Sequence, residues 1–158
     1  VTEYWESVDP GETVGWANWR GDDLLEAGQT PMWEYVDTLY ADAVNYARGL
    51  PTKHKVQRLV VEDFRIYPWK AADLAWDSVR TARAIGALEL IARVANIPIT
   101  LQGASIKETA EAAGAEILFL HPLHENRHAN DAIRHGVFYL ASQTPGFAVT
   151  PGSEDGGG

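Results

Sequence analysis

The first thirty residues fall into short runs rich in aromatic and branched side chains, broken by turn chemistry. Residues 4–9 read as a strand that stops at Asp9-Pro10-Gly11, residues 14–19 as a second, and residues 24–29 as a third after Arg20-Gly21-Asp22-Asp23. Three short strands joined by tight turns predict an antiparallel meander. Thr30-Pro31 then opens a helix, with Thr30 as N-cap and Pro31 at the first helical position. Trp33, Val36, Leu39, Tyr40, Ala43 and Tyr46 follow helical spacing, and Gly49-Leu50-Pro51 ends the run. Residues 58–62 form an apolar stretch closed by acids, the pattern of a central strand buried on both faces. A long helix is expected over 73–95, using Leu74, Val79, Ile85, Leu88, Ile91, Ala92 and Ala95, and a fifth strand over 97–101. Ser105-Ile106-Lys107-Glu108 fits a capping box for a short helix reaching about Gly114, and a last helix covers 127–142. The order βββαβαβαα predicts an α/β fold: a mixed five-stranded sheet, a three-stranded meander plus parallel strands, with helices on both faces. Residues 1–144 are expected to form one domain and 145–158 a flexible tail. Trp16, Trp19, Trp33 and Trp76 are expected in the core.

Composition narrows the class. The 158 residues contain no cysteine, which excludes a disulfide scaffold, a thiolate metal site and a cysteine nucleophile. No apolar run is long enough to span a membrane, and the acidic opening does not read as a signal peptide, so the expected location is the cytosol. A net charge of −9 argues at first against a nucleic-acid partner. The distribution changes that picture. Residues 1–47 hold ten acids and one base, whereas within 48–70 six bases (Arg48, Lys53, Lys55, Arg58, Arg65, Lys70) face only Glu62 and Asp63. One end of the chain is acidic and the middle is locally basic.

Three acids sit where elements end. Asp9 closes the first strand, Glu62 closes the fourth, and Asp131 lies one turn into the last helix. With strands one and four adjacent, Asp9 and Glu62 emerge side by side. A cluster of uncompensated carboxylates repels itself unless it binds hard cations, for which oxygen ligands are the right partners. Two such ions, roughly 3.5–4 Å apart, activate a water and stabilise the leaving oxygen of a phosphodiester.

These segments carry a resemblance. Val8-Asp9-Pro10-Gly11-Glu12-Thr13-Val14-Gly15-Trp16-Ala17 resembles the opening strand of the RuvC family of Holliday junction resolvases, in the RNase H-like superfamily. Val60-Val61-Glu62-Asp63 resembles the family's second acidic strand, and His128-Ala129-Asn130-Asp131-Ala132-Ile133 its C-terminal helix. The likeness runs from about residue 5 to 142 in the expected order. The shorter loop before the last helix and the Asp131-Ala132-Ile133-Arg134-His135 run are similar to bacteriophage members, which implies a host bacterial cytoplasm. The resemblance implies a structure-selective endonuclease, cutting branched DNA with two Mg2+ ions, Mn2+ substituting, to leave a 5′ phosphate. It makes Asp9, Glu62, His128 and Asp131 metal ligands. His128 departs from the carboxylate that many relatives carry there, which alters the charge of the site. His135, four residues after Asp131, is expected to orient it or to contact the scissile phosphate, and Lys107 to neutralise phosphate charge. Asp63 is expected to point to the other side of its strand.

Lys53, Lys55, Arg58, Arg65, Lys70, Lys107 and Arg134, with Arg80, Arg83 and Arg127, are candidate phosphate contacts. Family resolvases place an aromatic wedge after the second acidic strand. Here Phe64 or the Tyr67/Trp69 pair takes that place, a stacked base being worth ~1–3 kcal/mol. The long helix carries Ala82, Ala84, Gly86 and Ala87, and the resemblance makes it a homodimer face, two active sites about a two-fold suiting symmetric nicking.

Other readings stay open. A flap or fork endonuclease and an RNase H-type nuclease share the fold, and a non-catalytic nucleic-acid-binding member would accommodate His128. His121, His124 and His128 form an H-x2-H-x3-H string able to bind zinc, though no thiolate completes a structural site. Asp9-Pro10-Gly11-Glu12-Thr13-Val14-Gly15 also resembles the phosphate loop of actin-like kinases, which need a second lobe that a single domain of 158 residues is not expected to supply.

Overall fold

The meander forms as its alternation predicts. In a computed structural model, which describes residues 2–53, 55–64, 76–113 and 126–146, strands β1 (Tyr4–Asp9), β2 (Thr13–Arg20) and β3 (Asp23–Pro31) pair antiparallel. Strand β4 (Leu59–Asp63) joins β1 in parallel and β5 (Ile99–Gly103) joins β4 in parallel. Among the described residues the sheet therefore has five strands in the order β3-β2-β1-β4-β5. Helices α1 (Met32–Ala47), α2 (Trp76–Ala95), α3 (Ile106–Ala113) and α4 (Arg127–Ser142) complete an RNase H-like α/β arrangement. None of these helices is long and apolar enough to cross a membrane.

The two faces of the sheet bury separate cores. Val8, Val14, Leu59 and Val61 pack under α1 and α2 with Leu39, Ile85 and Leu88. Trp5, Ala17, Trp19 and Val60 pack under α4 with Ala132, Ile133 and Val137. Leu59, Val60 and Val61 are fully buried in succession, the signature of a strand covered on both sides. The Trp5 and Trp19 rings stack at 5.0 Å with planes 8° apart, so the α4 face is built on an indole pair.

Several local expectations are corrected. Helix α1 starts one residue later than Thr30-Pro31 implies: Pro31 ends β3 and stands in the N-cap position without a side-chain cap. The Thr30 hydroxyl instead accepts the Trp16 indole N–H at 3.0 Å. The buried face of α1 is Met32, Tyr35, Val36, Leu39 and Ala43. Trp33 is 51% exposed, with Arg83 over its ring, and Tyr40 and Tyr46 are also exposed. Val79 on α2 is exposed as well. Strand β5 runs two residues further along the chain than expected, to Gly103. The side chain of Trp76 and the tail beyond residue 146 lie outside what is described.

One acid is buried on the face away from α4. Glu6 is 5% exposed, accepts a hydrogen bond from the Tyr35 hydroxyl, and borders a cavity of about 190 Å³ beneath α1. Burial pushes its carboxyl up to about 7; Tyr35 opposes the rise, and the charges of Asp42 and Glu26 add to it.

Candidate active site

Strand pairing brings the first two acids together. Val8 pairs with Val61, so the next step of the ladder sets Asp9, the last residue of β1, beside Glu62. Alternation puts Asp9 on the Ser7 side and Glu62 on the Val60 side, which is the α4 face for both. The third acid arrives on α4, where His128, Asp131 and His135 are spaced i, i+3 and i+7 along one helix face.

Glycine and a buried hydroxyl fix how α4 sits. Gly15 pairs with Asp9, and a Cβ there would collide with the backbone carbonyl of His128, so the helix rests directly on β2. Two turns later the Trp19 indole lies against Gly136 in the same way, with no room for a Cβ. Between them Ser7 Oγ accepts the Trp19 indole N–H at 2.9 Å and donates to the Ala132 carbonyl at 2.7 Å. Both hydrogen bonds are buried, where losing a partner costs about 1–3 kcal/mol.

This docking delivers His128 Nδ1 to within 2.9 Å of Asp9 Oδ2. His135, with no exposed surface, has Nε2 3.0 Å from Glu62 Oε2 and Nδ1 2.9 Å from Gln102 Oε1. Lys107, on the first turn of α3, has Nζ 3.1 Å from Glu62 Oε2 and 3.0 Å from Asp131 Oδ2. Arg134 Nη1 donates to the other Asp131 oxygen at 3.0 Å.

The electrostatics are uneven across the cluster. Burial pushes Asp9 up to about 7, and the charge and hydrogen-bond contact of Glu62 push the same way, against His128 and Lys107. Burial also pushes Glu62 up, but His135 and then Lys107 outweigh it and hold the carboxyl down to about 2. Burial lowers Lys107 while its bonds to Asp131 and Glu62 prevail, so its ammonium is held charged. The Asp9 carboxyl is thus the harder of the two to ionise and the Glu62 carboxyl the easier.

Asp9, Glu62, His128, Asp131, Lys107, His135 and Arg134 accordingly meet at one edge. Lys53, Lys55 and Arg58 do not. They precede β4 and lie toward the opposite end of that strand, where Arg58 pairs with Glu3 at 3.1 Å and covers the Tyr139 ring. Arg80 pairs with Glu12. Phe64 is half-buried and packs against the α1/α2 core. Arg65, Tyr67, Trp69 and Lys70, and the histidines His121 and His124, lie outside the described residues. Gln102 is a member of the cluster that no sequence motif marks. Its signal is the β4–β5 register, which pairs it directly with Glu62. Gly15 belongs to the first motif, and the structure adds its role as the seat of α4.

Among the described residues, no group of three or more His, Asp or Glu side chains is arranged to hold a metal ion. The donor types are nevertheless the oxygen ligands that hard divalent cations take. Asp9 and Glu62 stand at the ends of paired strands, Asp131 faces them from α4, and the Glu62 and Asp131 carboxylates already take the Lys107 ammonium between them.

No protein-family model matches the sequence, and no curated protein does. Solved structures do. A structure described as T. thermophilus RuvC in complex with a Holliday junction substrate is similar at 18% identity and a TM-score of 0.61, covering 89% of this chain and 94% of that one. A second Thermus thermophilus RuvC structure is similar at 19% identity and a TM-score of 0.56, over 89% and 95% of the two chains. At that identity the likeness is one of fold, and it spans nearly the whole of both chains.

Proposed function

We propose that this chain is a divalent-metal-dependent, structure-selective endonuclease that cuts branched DNA, four-way Holliday junctions first, as a homodimer. The observation that carries the reading is the meeting of Asp9, Glu62 and Asp131 at one sheet edge, with His128 on Asp9. The end-to-end likeness of fold to a RuvC protein solved on a Holliday junction supports the choice of substrate.

Asp9, Glu62 and Asp131, with His128, would hold Mg2+ or Mn2+, two ions in all. Bound there, the ions supply an activated water and charge neutralisation at the leaving oxygen. The chain's own groups do the rest. His135, tied to Gln102, holds the Glu62 carboxylate in one orientation. Lys107 and Arg134 meet phosphate charge, and His128, with a side chain 38% exposed, is placed to ligate or to carry a proton to solvent. Water adds to phosphorus, the P–O3′ bond breaks, and the strand ends as a 5′ phosphate and a 3′ hydroxyl.

Selectivity would come from phosphate spacing and junction deformability. Arg65, Lys70 and the Tyr67/Trp69 pair, which follow β4 in sequence, are the proposed contacts near the cut. Lys53, Lys55 and Arg58 would touch only a duplex arm that extends past the far end of the sheet. The dimer face is the outer stripe of α2, where Val79, Leu90 and Val94 are exposed, with Ala82 and Gly86 between them. Ala84 and Ala87 are turned to the core instead, and the open space at Gly86 leaves room for a second helix.

The test is cleavage of end-labelled four-way junction, flap, fork and linear duplex DNA in Mg2+, by the wild type and Glu62→Gln. Paired nicks in the junction, lost in the variant, are expected. Preference for flaps or forks would retain the chemistry and change the substrate. Binding without cutting in Mg2+ and Mn2+ would refute the enzyme and leave a DNA-binding module.

A further inference from the structure

The basic side chains around the carboxylates do not share them equally. His128 serves Asp9, His135 serves Glu62 and Arg134 serves Asp131. Lys107 bridges two acids, 3.1 Å from Glu62 Oε2 and 3.0 Å from Asp131 Oδ2. The cluster therefore has two unlike halves. Between Glu62 and Asp131 an ammonium is already seated, and Asp131 has a cation on each oxygen. Asp9 and Glu62 stand side by side where the paired strands β1 and β4 end, and the Lys107 bridge spans the other pair of acids.

We propose that Lys107 is a resident counter-ion that a divalent cation must displace from the Glu62–Asp131 half, so that the two halves load in order. The inference rests on the metal-dependent reading above. Asp9 and Glu62, the pair that Lys107 does not bridge, would hold the first ion. A second ion needs the carboxylate oxygens that Lys107 holds, at metal–oxygen distances of about 2.0–2.1 Å for Mg2+. An ammonium and a divalent ion cannot both keep Asp131 Oδ2 as a close partner without strong like-charge repulsion. The lysine can yield: its charge rides on a flexible four-carbon stem, and its side chain is 30% exposed where those it bridges are 17% and 14% exposed. Leaving the carboxylates frees the ammonium for a phosphate oxygen, so filling of the second site and capture of DNA by Lys107 become one exchange. A lysine that holds the pair for nine-tenths of the time lowers the apparent affinity of the second ion roughly tenfold.

Mn2+ titration followed by electron paramagnetic resonance, with thermal melting in EDTA and in Mn2+, tests this without any nuclease readout. The wild type is expected to bind one ion tightly and one weakly. Lys107→Gln should tighten the weak ion roughly tenfold, melt lower in EDTA, and regain more on adding Mn2+ than the wild type does. Lys107→Arg, which keeps the charge, should retain the weak second site. Equal weak-site affinity in wild type and Lys107→Gln, with that site lost in Asp131→Asn, would overturn the exchange while the metal reading stands. No Mn2+ bound by any of the proteins would overturn the metal reading and the exchange with it.

Discussion

Glu6→Gln should remove a large part of the fold's sensitivity to alkali. Glu6 lies under α1, away from the carboxylate edge, and its carboxyl is pushed up from 4.5 to about 7, by burial first. Between those values the folded chain keeps a proton that the unfolded chain has released. The folded state then binds more protons, so stability falls as pH rises through that window, and the loss is complete above about 7. At 1.36 kcal/mol per pH unit the displacement is worth roughly 3 kcal/mol. Glutamine does not titrate, and it keeps the oxygen to which Tyr35 donates. Urea unfolding of both proteins at pH 5 and pH 8.5 is the measurement. Asp9 also releases a proton across this range, but it does so in both proteins and cancels in the comparison. The stability difference should move by roughly 3 kcal/mol in favour of the glutamine variant at the higher pH, or roughly 6–12 °C in Tm for a domain of this size. A difference constant within about 0.5 kcal/mol across the two conditions would refute the reasoning, since Glu6 would then ionise as readily folded as unfolded.

Gly15→Ala should cost about 3 kcal/mol or more, because the added carbon meets helix backbone that has no rotamer to change; chemical denaturation checks it, and a loss under about 1 kcal/mol would show that α4 can shift. Gln102→Leu leaves His135 Nδ1 buried without its partner and should destabilise by about 1–3 kcal/mol, whereas Gln102→Glu, which keeps an acceptor, should recover most of it in the same assay. Leu90→Glu, at a residue 61% exposed on α2, should leave the circular dichroism spectrum unchanged while sedimentation velocity reports a monomer in place of the proposed dimer. An unchanged sedimentation coefficient would remove α2 from the interface.

The elements are legible where local chemistry marks them. Asp9-Pro10-Gly11 ends β1 at Asp9, and the apolar run of β4 announces a strand covered on both faces. The residues of α4 are readable to its ends because its apolar face is unambiguous. Helix α1 is harder, since its aromatic residues cover more than one face. Choosing between Trp33 and Tyr35 requires knowing the angle at which the helix meets the sheet, and that angle is set by residues elsewhere in the chain. Thr30 departs from expectation for a similar reason: a good capping residue is claimed by an indole from the neighbouring strand. The acids of the site can be placed from strand ends alone. Gln102 cannot, because its nearness to His135 depends on how β4 and β5 slide past each other, a pairing between segments some forty residues apart. Arg134 reads from sequence as a DNA contact, and the fold shows it also bound to Asp131.

The seat of α4 on Gly15 and Trp19 has a bearing on biosynthesis. Asp9 and Glu62 leave the ribosome well before the helix that carries His128, Asp131 and His135. Until then the Trp5–Trp19 stack and Val60 have no cover, so a stalled or clipped nascent chain presents an aromatic patch for chaperones and proteases to grip. The same chain lacks one of its three clustered carboxylates and the two histidines that bind the other two, so its acidic edge is left incomplete. Docking of the last helix and assembly of the acidic edge are a single event, so a chain cut short before α4 carries neither its second core nor its full carboxylate cluster.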